Sequence, residues 1–389
     1  MSVHIVRKHS SEVTLQVTFD LKGDLLDVEE RIQSALNEAG CQATALAIAA
    51  FDTDGSPVMA GDIKWTRRGR HPKVYQTPYG TVEVERHVYQ SSRGGKTYVP
   101  LESSARMIGR STPRFAKQVT NKYARMNAGE ACADLEENHQ RKISRHAVQL
   151  LAEQVGGIAQ LKEENWAYAT PPLEGSVKTV VCSLDGAYLL TANTGWREAM
   201  VGTLSLYDAE GERQHTTYLG AAPEYGKATF LQRYQRELER LKTLYPEACY
   251  LGIADGSKTN WTFLSQHTSH QILDYYHATE YLGKVAHAAY PQKTGKPKRQ
   301  QWLADRCHQL KHEEGAAQRI LDECYQFRKK RSLTRTVKED LESTITYFEN
   351  QKDKMNYAAH RHNKLPIGSG VVEAACKTLV KQRFCGAGM

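Results

Sequence analysis

Apolar and polar residues alternate with a period of two over VTLQVTF (13–19), which predicts a strand. They switch to helical spacing over LLDVEERIQSALNEAG (25–40), where Gly40 reads as the stop. ATALAIAAFD (43–52) predicts a second strand, so residues 1–60 read as a small α+β unit. KVYQTPYGTVEVERHVYQS (73–91) holds two alternating runs around TPYG and predicts a hairpin, with TRRGRHPK (66–73) and SSRGGKTY (91–98) as flexible basic flanks. Three helices are expected within 111–158. Thr112 caps the first ahead of Pro113, Asn127 and Glu130 form a capping box for the second, and Ser144 caps the third. Ile143 and Val148 would staple that third helix, and Val148, Leu151 and Val155 share its apolar face.

ENWAYATPPLEGSV (164–177) reads as an exposed linker, after which the pattern changes. VKTVVCSLDG (177–186) is an apolar strand ending in an acid and a glycine, and GWREAMVGTLSLYDAEGERQHTTYLGAA (195–222) predicts two strands around DAEG. A helix follows over approximately 227–245, with Phe230, Tyr234, Leu238, Leu241 and Leu244 as its stripe. ACYLGIADGS (248–257) is again a short strand ending in Asp-Gly. In PIGSGVVEAACKTLVKQRF (366–384) a Pro/Gly-rich turn leads into a helix on which Glu373, Cys376, Lys377, Val380 and Lys381 recur at three- and four-residue spacing, with Val372, Ala375 and Leu379 free to pack inward.

Charge adds a direction to this picture. The 52 Lys+Arg against 44 Asp+Glu give a formal +8, which suits a polyanionic partner without requiring one. Arg67, Arg68, Arg70, Lys73, Arg86, Arg93 and Lys96 around the hairpin are candidate phosphate contacts. Arg141, Lys142, Arg145, His146 and Gln149 gather at the start of the third helix, where a helix-turn-helix presents polar residues to a major groove. A solvated hairpin and a plain helical bundle explain the same patterns. No run approaches 18 apolar residues and no apolar run follows the polar N-terminus, so neither a membrane span nor a signal peptide is expected. The eight scattered cysteines contain no CxxC pair and predict reduced thiols, as inside a cell. DTDG (52–55) lacks the repeated ligands of a calcium loop and reads as a turn.

The chemistry begins with Asp185 and Asp255. The order of three strands, helix and strand places them at the tips of the first and fourth strands, which are neighbours in a ribonuclease-H-like sheet. Two carboxylates meeting at one sheet edge can bridge two magnesium ions roughly 3.5–4 Å apart, one activating an attacking hydroxyl and the other stabilising the departing oxygen. Gly186 and Gly256 would let the chain turn and leave the carboxylates open. Asp-Gly is also a common turn signal, so a third ligand is needed, and Glu373 is the candidate, flanked by Lys377 and Lys381 as phosphate binders.

CSLDGAYL (182–189), YLGIADGSKTNW (250–261), ILDYYHATEYL (272–282) and PIGSGVVEAACKTLVKQRF (366–384) resemble the blocks of a DDE insertion-sequence transposase, most closely the ISKra family, with a more distant likeness to Mutator-type enzymes. The likeness extends to FDTDGSPVMAGDIKW (51–65), YGTVEVERHVYQSSRGGKTYVPLE (79–102) and STPRFAKQVTNKYA (111–124), nearly the whole chain.

The resemblance implies an α/β protein. An α+β region with a basic hairpin (1–103) and a helix-turn-helix-like DNA-binding domain (104–163) would precede a ribonuclease-H-like core (first part 175–277), a mainly helical insertion (278–365) and the glutamate helix (366–389). It makes Asp185, Asp255 and Glu373 the catalytic, metal-binding triad for Mg2+, with Mn2+ as substitute and two ions expected. It matches Asp274 and His277 to a Cys/Asp-x-x-His element in which His277 would orient scissile DNA or bond a ligand carboxylate. Lys293, Lys296, Lys298, Arg299, Trp302, Arg328, Lys329, Lys330, Arg331 and Arg335 in the insertion would contact the DNA backbone.

The implied partners are double-stranded DNA, as terminal inverted repeats and target, and a second copy of the chain. The implied location is the cytoplasm, at the nucleoid. A catalytically inactive DNA-binding protein or repressor and a hydrolysing ribonuclease-H-like nuclease are the other readings. With 16 residues after Glu373, where such enzymes continue with a tryptophan-containing segment and a further helix, the glutamate helix is expected to be weakly supported.

Overall fold

The computed structural model describes residues 2–386 apart from 10, 61, 92–93, 166, 192–193, 292–294 and 331–332, and the candidates Arg93, Lys293 and Arg331 lie outside the described residues. The chain divides into two compact units, Met1–Asn165 and Trp166–Cys385.

In the first unit β1 (Ser2–Lys8) pairs antiparallel with β2 (Val13–Thr18), and α1 spans Leu25–Ala49. β2 is where the alternation puts it. The strand expected at 43–52 and the stop at Gly40 are not: α1 runs straight through both. Alanines 43, 45, 47 and 49 favour helix more than their even spacing favours strand. Gly40 instead makes room for an aromatic ring, since a Cβ there would lie 2.4 Å from Cγ of Tyr79.

β3 (Val58–Ala60), β4 (Ile63–Gln76), β5 (Thr81–Ser91) and β6 (Thr97–Tyr98) form an antiparallel sheet, followed by α2 (Pro100–Ser104). The hairpin turns at 77–80 as expected, but TRRGRHPK is ladder rather than flexible flank. Arg68 is absorbed in a bulge between Arg67 and Gly69. Tyr75, Val82, Val84, Leu101 and Ile48 build the core beneath it. The DTDG turn is closed by its own chain: the His87 backbone N–H donates to Asp52 Oδ2 at 3.1 Å, and Ser56 N–H donates to Asp54 Oδ1 at 2.8 Å.

α3 (Pro113–Tyr123), α4 (Ala128–His139) and α5 (Arg145–Glu163) carry the three expected caps. Thr112 accepts from Phe115 N–H, Ser144 from Ala147 N–H, and Asn127 and Glu130 form a complete capping box. Phe115, Val119, Leu135, Val148 and Leu151 close their core, with Ile143 packed at its edge.

In the second unit β7 (Thr179–Thr191), β8 (Gly195–Tyr207) and β9 (Arg213–Ala221) run antiparallel in sequence. α6 (Lys227–Leu244) leads to β10 (Cys249–Ala254), which pairs parallel to β7. α7 (Lys258–His267) and β11 (His270–Leu273), neither of which was expected, add a parallel edge strand. The sheet order is β11-β10-β7-β8-β9, so the first and fourth strands of this unit are neighbours as anticipated. Phe230, Tyr234, Leu238 and Leu241 of α6 bury their stripe against Leu204 and Leu206.

The region up to the glutamate helix is mainly helical as expected: α8 (Tyr275–Ala289), α9 (Lys296–His312), α10 (Ala316–Arg328), α11 (Arg335–Gln351) and α12 (Tyr357–His362). Leu310, Ile320, Leu341, Ile345 and Phe348 share one core with the sheet, so these helices are continuous with it in packing. α13 (Gly370–Ala375), a π-helical stretch (Cys376–Lys381) and α14 (Gln382–Phe384) complete the unit. No helix among the described residues is long and apolar enough to cross a membrane.

Candidate active site

Asp185 is not at a strand tip. The parallel ladder with β10 ends at Ser183↔Ile253, while β7 runs on as far as Thr191 paired only to β8, with Asp185 opposite Val201. The carboxylate therefore sits where the sheet has narrowed from five strands to three, β7, β8 and β9. Its Oδ1 accepts the Gly186 N–H at 2.7 Å and its Oδ2 accepts the Cys376 S–H at 3.2 Å. Gly186 makes no turn; a Cβ there would meet the Glu198 carboxylate at 2.2 Å, so the glycine leaves space for that side chain.

Asp255 directly follows β10 and does stand at a turn. Gly256 has φ +106°, in the region that favours glycine, and Ser257 N–H donates to Asp255 Oδ1 at 3.0 Å. From α11, the Tyr347 O–H donates to the Asp255 carbonyl at 2.8 Å, and its ring stacks on Tyr281 with centroids 3.8 Å apart. Burial, then the neighbouring Tyr281 and Asp255, push the Tyr347 hydroxyl well above the ordinary phenol range, so it remains a donor.

Glu373 enters from α13, with Oε1 accepting the Ser369 O–H at 2.9 Å. Asp185, Asp255 and Glu373 thus line one cleft of about 300 Å³ together with Gly186, Ala187, Tyr276, His277, Glu280, Cys376 and Lys381. The cleft is built from β7, the end of β10, α8 and the α13 helix.

Asp274 fastens two of these elements. Fully buried, it caps α8 by accepting His277 N–H at 2.7 Å on Oδ1, while Oδ2 accepts the Ser369 N–H. The adjacent Tyr275 N–H donates to the Ile367 carbonyl at 3.0 Å, a second tie between the same segments. His277 Nε2 then lies 3.8 Å from Glu373 Oε1, and Nδ1 lies 3.6 Å from Glu280 Oε2.

Asp274, His277 and Glu373 are a group whose ligand atoms all lie within 4.8 Å of one another. We assign Asp274 to positioning rather than to metal binding, because each of its oxygens already serves a backbone N–H that would otherwise be unsatisfied. Two carboxylates lining the cleft are different: Asp255 Oδ2 and Glu373 Oε2 accept no hydrogen bond among the described residues. An all-carboxylate donor set of this kind fits Mg2+ or Mn2+.

The glutamate helix is well supported. Val372, Ala375, Cys376 and Val380 bury against Ala187, Leu189, Ala199 and Val201 of β7 and β8. Val380, in the π-helical stretch, is buried in this packing, whereas Cys376 is buried and still reaches the cleft beside Glu373. Lys381, five residues after Cys376, lines the cleft, and Lys377 does not. Burial, reinforced by Asp185, raises the Cys376 thiol above its ordinary range and keeps it protonated as a donor to that carboxylate.

Several expected DNA contacts are used inside the fold. Arg141 is buried: its Nε donates to the Thr77 carbonyl at 3.0 Å, its Nη2 to Gln76 Oε1 at 2.6 Å, and its guanidinium lies 5.1 Å from the Phe115 ring centroid. Lys73 and Arg86 are held by Glu102 at 2.7 and 3.3 Å. Trp302 is buried and donates to Glu323 at 3.0 Å, whereas Arg328 and Arg335 stay exposed in surface pairs with Glu342 and Glu339. Arg67, Arg68, Arg70, Lys142, Arg145, His146 and Gln149 are exposed.

Ser369, Tyr347 and Asp274's second bond were not legible in advance. Ser369 stands four residues before Glu373, a helical spacing that could have marked it, whereas nothing local points from Tyr347 to Asp255. Comparison with protein-family models and with curated proteins returns no match to the chain.

Proposed function

We propose that the chain is a divalent-metal-dependent transposase that binds the ends of an insertion sequence, cleaves them and joins them to target DNA. The observation that carries this reading is the convergence of Asp185, Asp255 and Glu373, far apart in sequence, on one cleft. The strand order β11-β10-β7-β8-β9, with β10 parallel to β7 and the other two β7-side strands antiparallel, supports a ribonuclease-H-like core. The exposed Lys142 just before the capped α5, and the exposed Arg145 and His146 at its start, support DNA binding by the first unit.

In this reading Asp185, Asp255 and Glu373 would hold Mg2+ or Mn2+, two ions in all, which when bound supply an activated attacking oxygen and charge neutralisation at the departing one. Water attacks the phosphodiester at the element's end and releases a 3′-hydroxyl. That hydroxyl attacks a target phosphodiester in line, one P–O bond forming as another breaks. Lys381 faces the cleft as a phosphate partner, and His277 Nε2 stands 3.8 Å from the same Glu373 oxygen that accepts from Ser369. Cys376 and Gly186 fix the Asp185 carboxylate from two directions.

The test is the purified chain with Mg2+ and a DNA fragment carrying the element's terminal repeats beside a plasmid target. Joined products are expected. Hydrolysis without joining would favour a nuclease, and tight end binding without cleavage in Mg2+ or Mn2+ would favour a repressor.

A further inference from the structure

Tyr276 lines the cleft beside the three carboxylates but holds none of them. It is the second residue of α8, directly after Tyr275, and consecutive helix residues point about 100° apart. Tyr275 turns into the core, where its hydroxyl donates to the Cys307 carbonyl at 2.9 Å and its ring meets Tyr357 at 84° with centroids 5.3 Å apart. Tyr276 is thereby brought to the surface and is 60% exposed.

Although exposed, the ring is held in place. It stands at 72° to the Tyr275 ring, with centroids 5.7 Å apart, so the buried aromatic pair backs it. It also lies against the backbone of Gly368, where a Cβ would come within 3.1 Å of its Cε2. Gly368 has no positive φ, so what this glycine supplies is room for the ring. The two neighbours of Gly368 are the residues tied to the start of α8: the Ile367 carbonyl accepts from Tyr275 N–H, and Ser369 N–H donates to Asp274. One turn therefore positions both the Tyr276 ring and the helix that carries Glu373.

The cleft itself narrows what this ring meets. At about 300 Å³ it is at the small end for a ligand site, so it takes in one nucleotide rather than a base pair. With the scissile phosphate among the carboxylates, the nucleotide next to it leaves the stack of the duplex, and one face of its base loses its neighbour. A fixed aromatic ring replaces that neighbour, and does so for any base, because every base has a π-face. Asp185, Asp255, Glu280 and Glu373 make the rest of the lining acidic, so the uncharged ring is a surface that attracts a nucleotide without a metal ion.

We propose that Tyr276 stacks on the base of the nucleotide adjoining the scissile phosphate and so seats that phosphate against Asp185, Asp255 and Glu373. This deepens the strand-transfer reading given above and rests on it.

The experiment uses the full chain with Mg2+ and terminal-repeat duplexes that carry either a normal or an abasic nucleotide on one side or the other of the scissile bond. Joining at limiting DNA is compared for the parent, Tyr276→Ala and Tyr276→Phe. Tyr276→Ala should lose about tenfold on the normal duplex, the loss of one base–aromatic stack. Tyr276→Phe, which keeps a ring, should recover most of it. On one side of the bond the abasic nucleotide should lower joining by the parent about tenfold as well, and lower joining by Tyr276→Ala no further, because the two changes remove the same contact.

Full joining by Tyr276→Ala, or losses from the variant and the abasic nucleotide that multiply on both sides of the bond, would overturn the stack and leave the strand-transfer reading standing. A Tyr276→Phe variant as impaired as Tyr276→Ala would also overturn it, assigning the contact to the hydroxyl. Failure of the parent to bind or cleave any DNA would overturn both.

Discussion

Asp274 and Arg141 are both buried polar residues near predicted sites, and both act through backbone they hold rather than through a ligand. Asp274 accepts two backbone N–H groups, one from α8 and one from the turn that delivers Glu373. Asp274→Ala leaves both donors unsatisfied and is expected to cost roughly 3 kcal/mol of unfolding free energy, read by urea denaturation. Asp274→Asn keeps one acceptor but points an amide N–H₂ toward a donor, so it should fall between the two and weaken Mn2+ binding through displacement of Glu373. Unchanged stability in both variants would mean that Asp274 is not a clamp.

Asp185 and Asp255 were legible as candidates because an apolar run followed by Asp-Gly is a local pattern, although only at Asp255 does the strand end there. Glu373 was legible only through the block around it, since one helix glutamate looks like any other. Arg141 was misread because its neighbours Lys142, Arg145 and His146 are exposed, and charge gives no hint of which member of a basic cluster turns inward.

At the scale of elements, caps transferred faithfully from sequence, while glycine punctuation and periodicity did not always: Gly256 turns the chain, Gly186 and Gly40 do not. Thr112, Asn127 with Glu130, and Ser144 cap α3, α4 and α5 as expected, because capping is a contact within three residues. The strand expected at 43–52 is mostly helix because alternating alanines satisfy either period and alanine favours helix.

β7 runs on past Asp185 because it pairs there with β8, the next strand of the chain, in a hairpin whose register continues to Thr191↔Gly195. Two outcomes separate the roles at α5. Arg141→Ala should destabilise the protein by roughly 2 kcal/mol through loss of two charge-assisted hydrogen bonds, visible in thermal unfolding. Lys142→Ala and Arg145→Ala should leave the unfolding curve in place while each lowers the slope of log affinity against log salt by about 0.9. A fall in stability for the latter pair would contradict their assignment to DNA.

Across the whole molecule, the +8 charge is divided between cations committed to the fold and cations left exposed. Lys73, Arg86 and Arg141 are committed, Lys142, Arg328 and Arg335 are exposed in surface pairs with Glu136, Glu342 and Glu339, and Arg67, Arg70, Arg145, Lys377 and Lys381 are exposed, so exposed cations occur in both units. DNA affinity should therefore fall steeply with salt, by several powers of ten between about 50 and 200 mM if six or more phosphates are neutralised. A flat salt dependence in a filter-binding or anisotropy titration would remove the polyanion as the partner.

The most direct measurement is Mg2+-dependent strand transfer by the parent, Asp185→Asn, Asp255→Asn and Glu373→Gln, each checked for end binding. The cleft predicts that every one of the three loses at least about a thousandfold in joining rate, the scale of removing one preorganised transition-state contact, with end binding retained. Full strand transfer by all three variants would contradict it.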